Sequence, residues 1–327
     1  MDRQRRTDGS EELKAEKPIS RTQSKYVQFE PVYDIIGAHT LRSENKRNLE
    51  QSLVRHKPFC HSPQNLRHGQ GTVLRNDRLT EDTWQIALHT EETLPVVRAG
   101  QFAMLRLPNR TDPLLGRPFA LYRAEPQYIE IIYLTVGKMT QRLAEVKPNE
   151  TLELWMPLGN GFPEPAANEK ESAHTIIVAG GIGQTPFLTF CQNRQERVSL
   201  LYGARTADRI ACMDDFRQLG IEPVIATDDG SEGYHGLVTD LIEKVYQPGE
   251  SARLFCCGPL PMLHSAFLTA RKLGLPCFVS LETPMSCGLG ICFGCVVPYR
   301  ENEHSGWDYR RTCIDGPVFD AYKLQWE

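Results

Sequence analysis

The sequence predicts an α/β plus all-β protein: an antiparallel β-barrel, a doubly wound parallel sheet and a small cysteine-rich C-terminal module. Three observations predict it. Short alternating apolar runs begin at His68, strand-then-helix alternation follows from about Glu169, and four cysteines crowd into the 27 residues from Cys287 to Cys313.

The barrel is read from GTVLRND, TWQIALHT, QFAMLRL, YIEIIYLTV and TLELWMPLG, which Gly, Pro and charged turns separate. Alternation in WQIALH and YIEIIYLTV sends successive side chains to opposite faces, as half-buried strands require. Several such strands over 68–168 suggest a small antiparallel barrel. After FPEPAANEKES the pattern changes. HTIIVAGG is a continuous apolar run ending in glycines, as a parallel strand buried on both faces would be. TPFLTFCQNRQ, MDDFRQLG, LVTDLIEKVY and PMLHSAFLTARKLG read as helices between the strands VSLLYGAR, EPVIATDD and ARLFCCGP. That alternation predicts a doubly wound parallel sheet over 169–279. Residues 280–327 form the cysteine-rich module, and 1–67 read as a flexible extension with little periodicity.

Composition narrows the function classes. The net charge of −4 divides unevenly: residues 1–67 hold 13 Lys+Arg against 9 Asp+Glu, and the rest hold 24 against 32. A remainder at −8 makes nucleic acid a poor partner. No run of about 18 apolar residues occurs, so no membrane helix is expected. The opening MDRQRRTDGSEELKAEK lacks a secretory apolar core, and a cytoplasmic location is the expectation.

Ten cysteines without a signal peptide argue against a disulfide scaffold. Six are scattered: Cys60, Cys191, Cys212, Cys256, Cys257 and Cys277. The other four, Cys287, Cys292, Cys295 and Cys313, have C-x4-C-x2-C-x17-C spacing, with glycines at 288, 290 and 294. This matches plant-type [2Fe–2S] ligation, and glycines let backbone amides turn toward the sulfurs. Zinc is the alternative, but zinc ribbons pair two C-x2-C knuckles and only one is present.

Further signals concern nucleotides. Arg117 held by Pro118 can meet a pyrophosphate, and the backbone of Phe119 and Ala120 can follow a flavin edge; alone, the dipeptide means little and a surface arginine is the better reading. Ile132, Tyr133 and Leu134 end a strand before Met139 and Thr140, where a helix opening offers an anion site or simply an N-cap. Gly180, Gly181, Gly183 and Pro186 follow an apolar strand, as a phosphate-binding turn does, although tight strand–helix packing explains them too. Cys257, Gly258 and Pro259 end a later strand at the same predicted sheet edge, either at a ligand site or as a plain turn. Tyr202–Arg205 and Asp228 end two more strands there, and Asp228 and Asp229 disfavour a ribose 2′-phosphate if they face it.

In this order, R-P-F-A, G-x-x-T, G-G-I-G-x-x-P, C-G-P and the cysteine cluster resemble the ferredoxin–NADP reductase superfamily. Within it, GRPFALYR, PLGNGFP, AGGIGQTP, CGPLPML, SLETPMSCGLGICFGC and CIDGPVF are similar to the electron-transfer subunits of NAD-dependent dihydroorotate dehydrogenases, over His68 to Phe319. The 17-residue gap before Cys313 is typical of those subunits. The resemblance implies FAD at Arg117, Pro118, Phe119 and Ala120, at Ile132, Tyr133 and Leu134, and at Met139 and Thr140. It implies NAD at Gly180–Pro186 and Cys257–Pro259, and a catalytic partner subunit carrying FMN, in a hetero-oligomer that turns dihydroorotate into orotate for pyrimidine biosynthesis. The sequence departs from the family at three places: Ala120 replaces a usual Ser, Leu134 a common Arg and Met139 a usual Gly. FAD is then expected to exchange hydride with the nicotinamide and single electrons with the cluster, with no catalytic acid–base pair in this chain. A reductase subunit of a hydrogenase or oxygenase, or a cysteine-based sensing module, are the rival readings.

Overall fold

A computed structural model describes residues 66–164, 174–192, 194, 196–301 and 306–326. The expected extension over 1–67, apart from its last two residues, and Cys60 lie outside the described residues.

The first layer is an antiparallel sheet of β1 (Arg67–Arg78), β2 (Thr83–Thr90), β3 (Phe102–Arg106), β4 (Arg117–Ala120), β5 (Arg123–Glu125), β6 (Tyr128–Leu134) and β7 (Thr151–Leu158). Its order is β4-β3-β7-β1-β2-β6-β5, so β4 and β5 remain edges and the barrel is open between them. Inward residues such as Val73, Ile86, Leu88, Ile131 and Leu154 form its core, capped by α1 (Lys138–Leu143) through Met139 and Leu143. A bulge between Val73 and Arg75 lets Leu74 face outward without flipping the rest of β1.

Glu130 breaks the apolar text of β6 and is almost wholly buried. A buried carboxylate needs charged or hydrogen-bonding partners. It receives Arg75, Tyr128, Gln85 at 3.1 Å and Arg123 at 3.0 Å. Arg123 continues to Asp215 at 2.7 Å, and the Tyr122 hydroxyl donates to the same carboxylate at 2.5 Å. This chain of charges joins the barrel to α3 (Met213–Gln218) of the second layer.

The second layer is the sheet β11-β10-β9-β8-β12-β13-β16. Its strands are β8 (His174–Gly180), β9 (Arg197–Ala204), β10 (Val224–Thr227), β11 (Tyr234–His235), β12 (Ala252–Cys257), β13 (Cys277–Ser280) and β16 (Val318–Asp320). All neighbours are parallel except β16, which runs antiparallel to β13. Every residue of β8 is buried, as a central strand covered on both faces requires. Ile176, Val178 and Cys256 face one apolar layer, and Ile177, Ala179 and Phe255 the other. The helices α2 (Phe187–Gln192), α3, α4 (Ile242–Val245) and α5 (Leu260–Leu273) cover those faces.

One helix is shorter than the sequence suggests. LVTDLIEKVY divides into a 3-10 turn, Val238–Leu241, and the single turn α4. Tyr246 is already extended, and Pro248 two residues on has no amide with which to continue the helix. The edge strand β16 has no counterpart among the strands that the sequence predicts. It comes from beyond the last clustered cysteine, after the hairpin β14 (Val296–Tyr299) and β15 (Asp308–Arg311).

Between the layers, Arg253 donates to Glu196 at 2.6 Å, Thr175 at 2.9 Å and the Pro163 carbonyl at 3.1 Å. Asn160, at the end of β7, binds Val318 through both its amide groups, at 2.8 and 2.9 Å.

Candidate functional site

The parallel strands advance from β8 to β11 in one direction, then return across β8 to β12. The switch between β8 and β12 opens a crevice at their carboxyl ends, where ligands of such sheets bind. Gly180 ends β8 and Cys257 ends β12, so two motifs far apart in sequence meet there. A cavity of about 820 Å³ lies at this edge, lined among others by Gly180, Gly181, Gln184, Arg205, Asp228 and Pro259.

Gly183 lies beneath the cavity floor and is fully enclosed. A Cβ there would stand 2.0 Å from the Cys257 carbonyl oxygen, so only glycine allows the two turns to meet. Pro186 is buried behind this turn and starts the chain toward α2. Gln184 is 1% exposed, and its Oε1 has no hydrogen-bond partner among the described residues. An orphaned acceptor facing a crevice is what a bound amide or hydroxyl would satisfy. Burial, then the nearby Glu282 carboxylate, push the Cys257 thiol up to about 12. The buried Cys257 thiol thus stays protonated at neutral pH.

The two acids after β10 part company. Asp228 lines the cavity, whereas Asp229 accepts from the Ser231 amide at 3.0 Å and hydroxyl at 2.6 Å. Those bonds hold Asp229 below the usual carboxylate range. Arg205 enters the cavity from β9. The sequence reading missed Asp82, Thr83 and Arg209, which also line it. Arg209 spans the layers by pairing with Asp82 at 2.5 Å and Glu81 at 2.6 Å. No local pattern marks such a bridge, because its two ends are 127 residues apart.

The expected flavin residues distribute unevenly. Arg117, Pro118, Phe119 and Ala120 form β4, an edge strand whose outer main-chain groups have no strand partner. Arg117 is exposed and donates to the Leu115 and Gly116 carbonyls, both at 3.0 Å. Ile132 packs into the core shared with the parallel sheet, and the Tyr133 hydroxyl donates to Asn76 at 2.9 Å. Leu134 alone of that trio lines the cavity. Met139 points into the barrel core, so its bulk stays out of the crevice. Thr140 caps its own helix, its hydroxyl accepting from the Val136 and Gly137 amides at 3.0 and 3.1 Å. The arrangement fits a flavin that is held by main-chain groups of β4 and the first turn of α1, with few side-chain contacts.

The four cysteines gather on the outer face of the barrel. Cys295 and Cys313 are buried against Phe102, Met104 and Leu158, with Trp155 and Met285 alongside. The Cys287 and Cys292 sulfurs lie 3.4 Å apart. Cys295 and Cys313 also pair, and burial followed by that neighbouring thiol push Cys313 up to about 12. Burial also raises the Cys287 thiol, but backbone amides of Cys292, Leu289 and Ile291 outweigh it and bring it down to about 7. Gly288 and Gly290 adopt φ of +69° and +76°, which lets the loop turn its amides inward. Arg311 braces the loop, donating to the Gly290 carbonyl at 3.2 Å and lying 5.1 Å over the Phe293 ring.

Two thiol pairs suit a binuclear [2Fe–2S] cluster, in which each iron takes two cysteines. Among the described residues no three Cys, His, Asp or Glu side chains converge as a single ion would need. The donor set fits such a cluster.

The fold and this site define a nicotinamide-dependent reductase of the ferredoxin–NADP reductase kind with an iron–sulfur appendage. Residues 282–325 match the iron–sulfur cluster binding domain of dihydroorotate dehydrogenase B, and residues 177–267 the oxidoreductase NAD-binding domain. The "dihydroorotate dehydrogenase B (NAD(+)), electron transfer subunit" of Desulforamulus reducens is 34% identical, covering 78% of this chain and 97% of the relative. That of Geobacillus kaustophilus is 37% identical, over 76% and 95%. The chain belongs to the family of dihydroorotate dehydrogenase B electron transfer subunits. Among solved structures, the NADH-dependent reduced ferredoxin–NADP oxidoreductase superposes with a TM-score of 0.68 at 25% identity, over 78% of this chain and 90% of that one. A ferredoxin–NADP reductase from Neisseria gonorrhoeae superposes at 0.53 and 19% identity, over 63% and 92%, and so shares the fold.

Proposed function

We propose that the chain carries electrons between NAD(H) and an FMN-containing dihydroorotate dehydrogenase catalytic subunit, in a hetero-oligomer, using FAD and a [2Fe–2S] cluster. One observation carries the reading: a crevice at the carboxyl ends of β8 and β12, which also reaches the barrel at Asp82, Thr83 and Leu134, and two thiol pairs packed on β3 and β7 belong to one chain. When bound, FAD would exchange hydride with the nicotinamide and single electrons with the cluster. The chain's own residues bind and orient. Arg117 and the main chain of β4 would hold the flavin, while Gly180, Gly181 and Pro259 shape the nicotinamide turn above Gly183 and Cys257. The Gln184 oxygen offers a buried acceptor. Cys287, Cys292, Cys295 and Cys313 would ligate the irons.

Ile291, Phe293 and Tyr309 are 76%, 63% and 66% exposed around the thiols. Apolar side chains grouped at the cluster suit a face for the catalytic subunit. Among the described residues no helix is long and apolar enough to cross a membrane. A cytoplasmic location is part of this proposal, and the pyrimidine-biosynthesis role supports it.

The test is iron, sulfide and flavin content of anaerobically purified chain, with NADH:acceptor activity. About two irons, two sulfides and one FAD are expected. Full flavin without NADH oxidation would overturn the relay.

Coenzyme choice gives a second check. Asp228→Ser should raise kcat/KM for NADPH by about tenfold, since a carboxylate facing a 2′-phosphate costs upward of ~1.4 kcal/mol. NADH should fall modestly as a ribose contact is lost. Unchanged NADPH use in steady-state kinetics would move the adenosine ribose away from Asp228.

A further inference from the structure

Along β7, Leu152, Leu154 and Met156 point into the barrel core, and Trp155 between them points outward. A large aromatic on an outer barrel face is covered only if another element lies on it, and here that element is the cysteine loop. Besides the His68 ring, whose centroid lies 6.2 Å away, two contacts at the ends of the indole matter here. Its Nε1–H donates to the carbonyl of Cys287 at 3.2 Å. Its opposite end lies against Gly116, where a Cβ would stand 2.9 Å from Trp155 Cη2 and 2.9 Å from the Leu105 carbonyl oxygen.

Gly116 immediately precedes Arg117, the first residue of β4, and Cys287 is the first clustered cysteine. One rigid side chain therefore touches both the strand of the R-P-F-A motif and the loop that carries the thiols. Across the sheet, Trp155 faces Met104, which packs under Gly288 on the same loop. The apolar floor of the loop and the polar contact to Cys287 thus meet at a single residue.

We propose that Trp155 is a positioning residue that fixes the cluster loop relative to the flavin-bearing strand. This rests on the cofactor reading above. The hydrogen bond orients the peptide of the first ligand, as outer-shell partners of metal ligands do. The ring face sets the height of the loop above the barrel, and its far edge sets where β4 begins. A disturbance at either end is therefore felt at the other, by contact alone.

The test uses the full chain loaded with iron and flavin, and three substitutions. Trp155→Phe keeps a ring on the barrel but removes the donor. It should release iron to a chelator about tenfold faster, the lower end of outer-shell effects, and alter the electron paramagnetic resonance g-values of the reduced chain. Its flavin content should match the parent. Trp155→Ala removes both contacts and should also weaken flavin retention. Gly116→Ala drives a methyl into the indole from the flavin side, so the g-values should change although Gly116 touches no cysteine.

A merely structural tryptophan would lower the melting temperature in all three without changing the g-values. Parent-like iron release and g-values in Trp155→Phe, or parent-like g-values in Gly116→Ala, would overturn the proposal. The parent's own iron and flavin content is read first. Their absence would defeat the cofactor reading and the positioning role with it, whereas a loaded parent with indifferent variants defeats the positioning role alone.

Discussion

Gly183→Ala should raise the dissociation constant for NADH by about a hundredfold, equivalent to ~2.7 kcal/mol, while iron and flavin contents stay at parental values. The new methyl would meet main-chain atoms only: the Cys257 oxygen at 2.0 Å, its carbonyl carbon at 2.5 Å and the Gly258 nitrogen at 2.9 Å. No flexible side chain can yield there, so β8 and β12 must separate at their carboxyl ends. Overpacking a close-packed site costs ~1–3 kcal/mol, and the displaced turns are the ones that line the crevice. A fluorescence titration with NADH reads the affinity, and iron analysis confirms that the far end of the molecule is intact. Parental affinity would mean that the nicotinamide does not sit over this turn.

Cys295→Ser is expected to abolish the cluster. Cys295 is 2% exposed among Phe102, Met104 and Leu158, so no water or surface ligand can take its place. A serine hydroxyl is a harder, far less acidic donor than a thiol and leaves one iron short of a ligand. Cluster retention should fall by more than about a hundredfold, beyond the 10–100-fold cost of outer-shell changes. The visible iron–sulfur bands and the iron content should vanish together. NADH oxidation by an artificial acceptor that takes electrons from the flavin should stay within about twofold of the parent, because the Gly183 crevice is untouched. Delivery to the catalytic subunit should fail. Retained iron in this variant would show that the four thiols are not one ligand set.

What the sequence reveals of this molecule is what depends on local pattern. The spacing of Cys287, Cys292 and Cys295 announces a metal loop, because three ligands within nine residues constrain the chain regardless of its surroundings. The G-G-I-G-Q-T-P turn is legible as a turn at the end of a buried strand, while its close packing on Cys257 is seen only in the structure. The family resemblance extends this to β4 and to Cys257–Pro259. Side-chain direction is not legible. Met139 stands in a flavin motif yet packs in the barrel core, and Ile132 and Tyr133 are core residues. Contacts between distant segments are equally hidden. Arg209 with Asp82 and Trp155 with Cys287 join parts of the chain more than 120 residues apart. Trp155 reads as one more strand aromatic until the loop is seen lying on it.

The edge strand β16 has consequences for how the chain is made. It completes the nucleotide-binding sheet, yet it follows all four cysteines, and 37 residues separate it from its neighbour β13, which ends at Ser280. Closing so long a loop has an entropic cost that ligation by iron reduces. A chain newly released from the ribosome without iron has therefore less to hold Val318–Asp320 on the sheet. Its β13 border then presents unpaired amides and carbonyls, the kind of border that other chains can join. Iron-starved expression is therefore expected to lower the soluble fraction of the chain, which the ratio of soluble to pelleted protein with and without added iron would read.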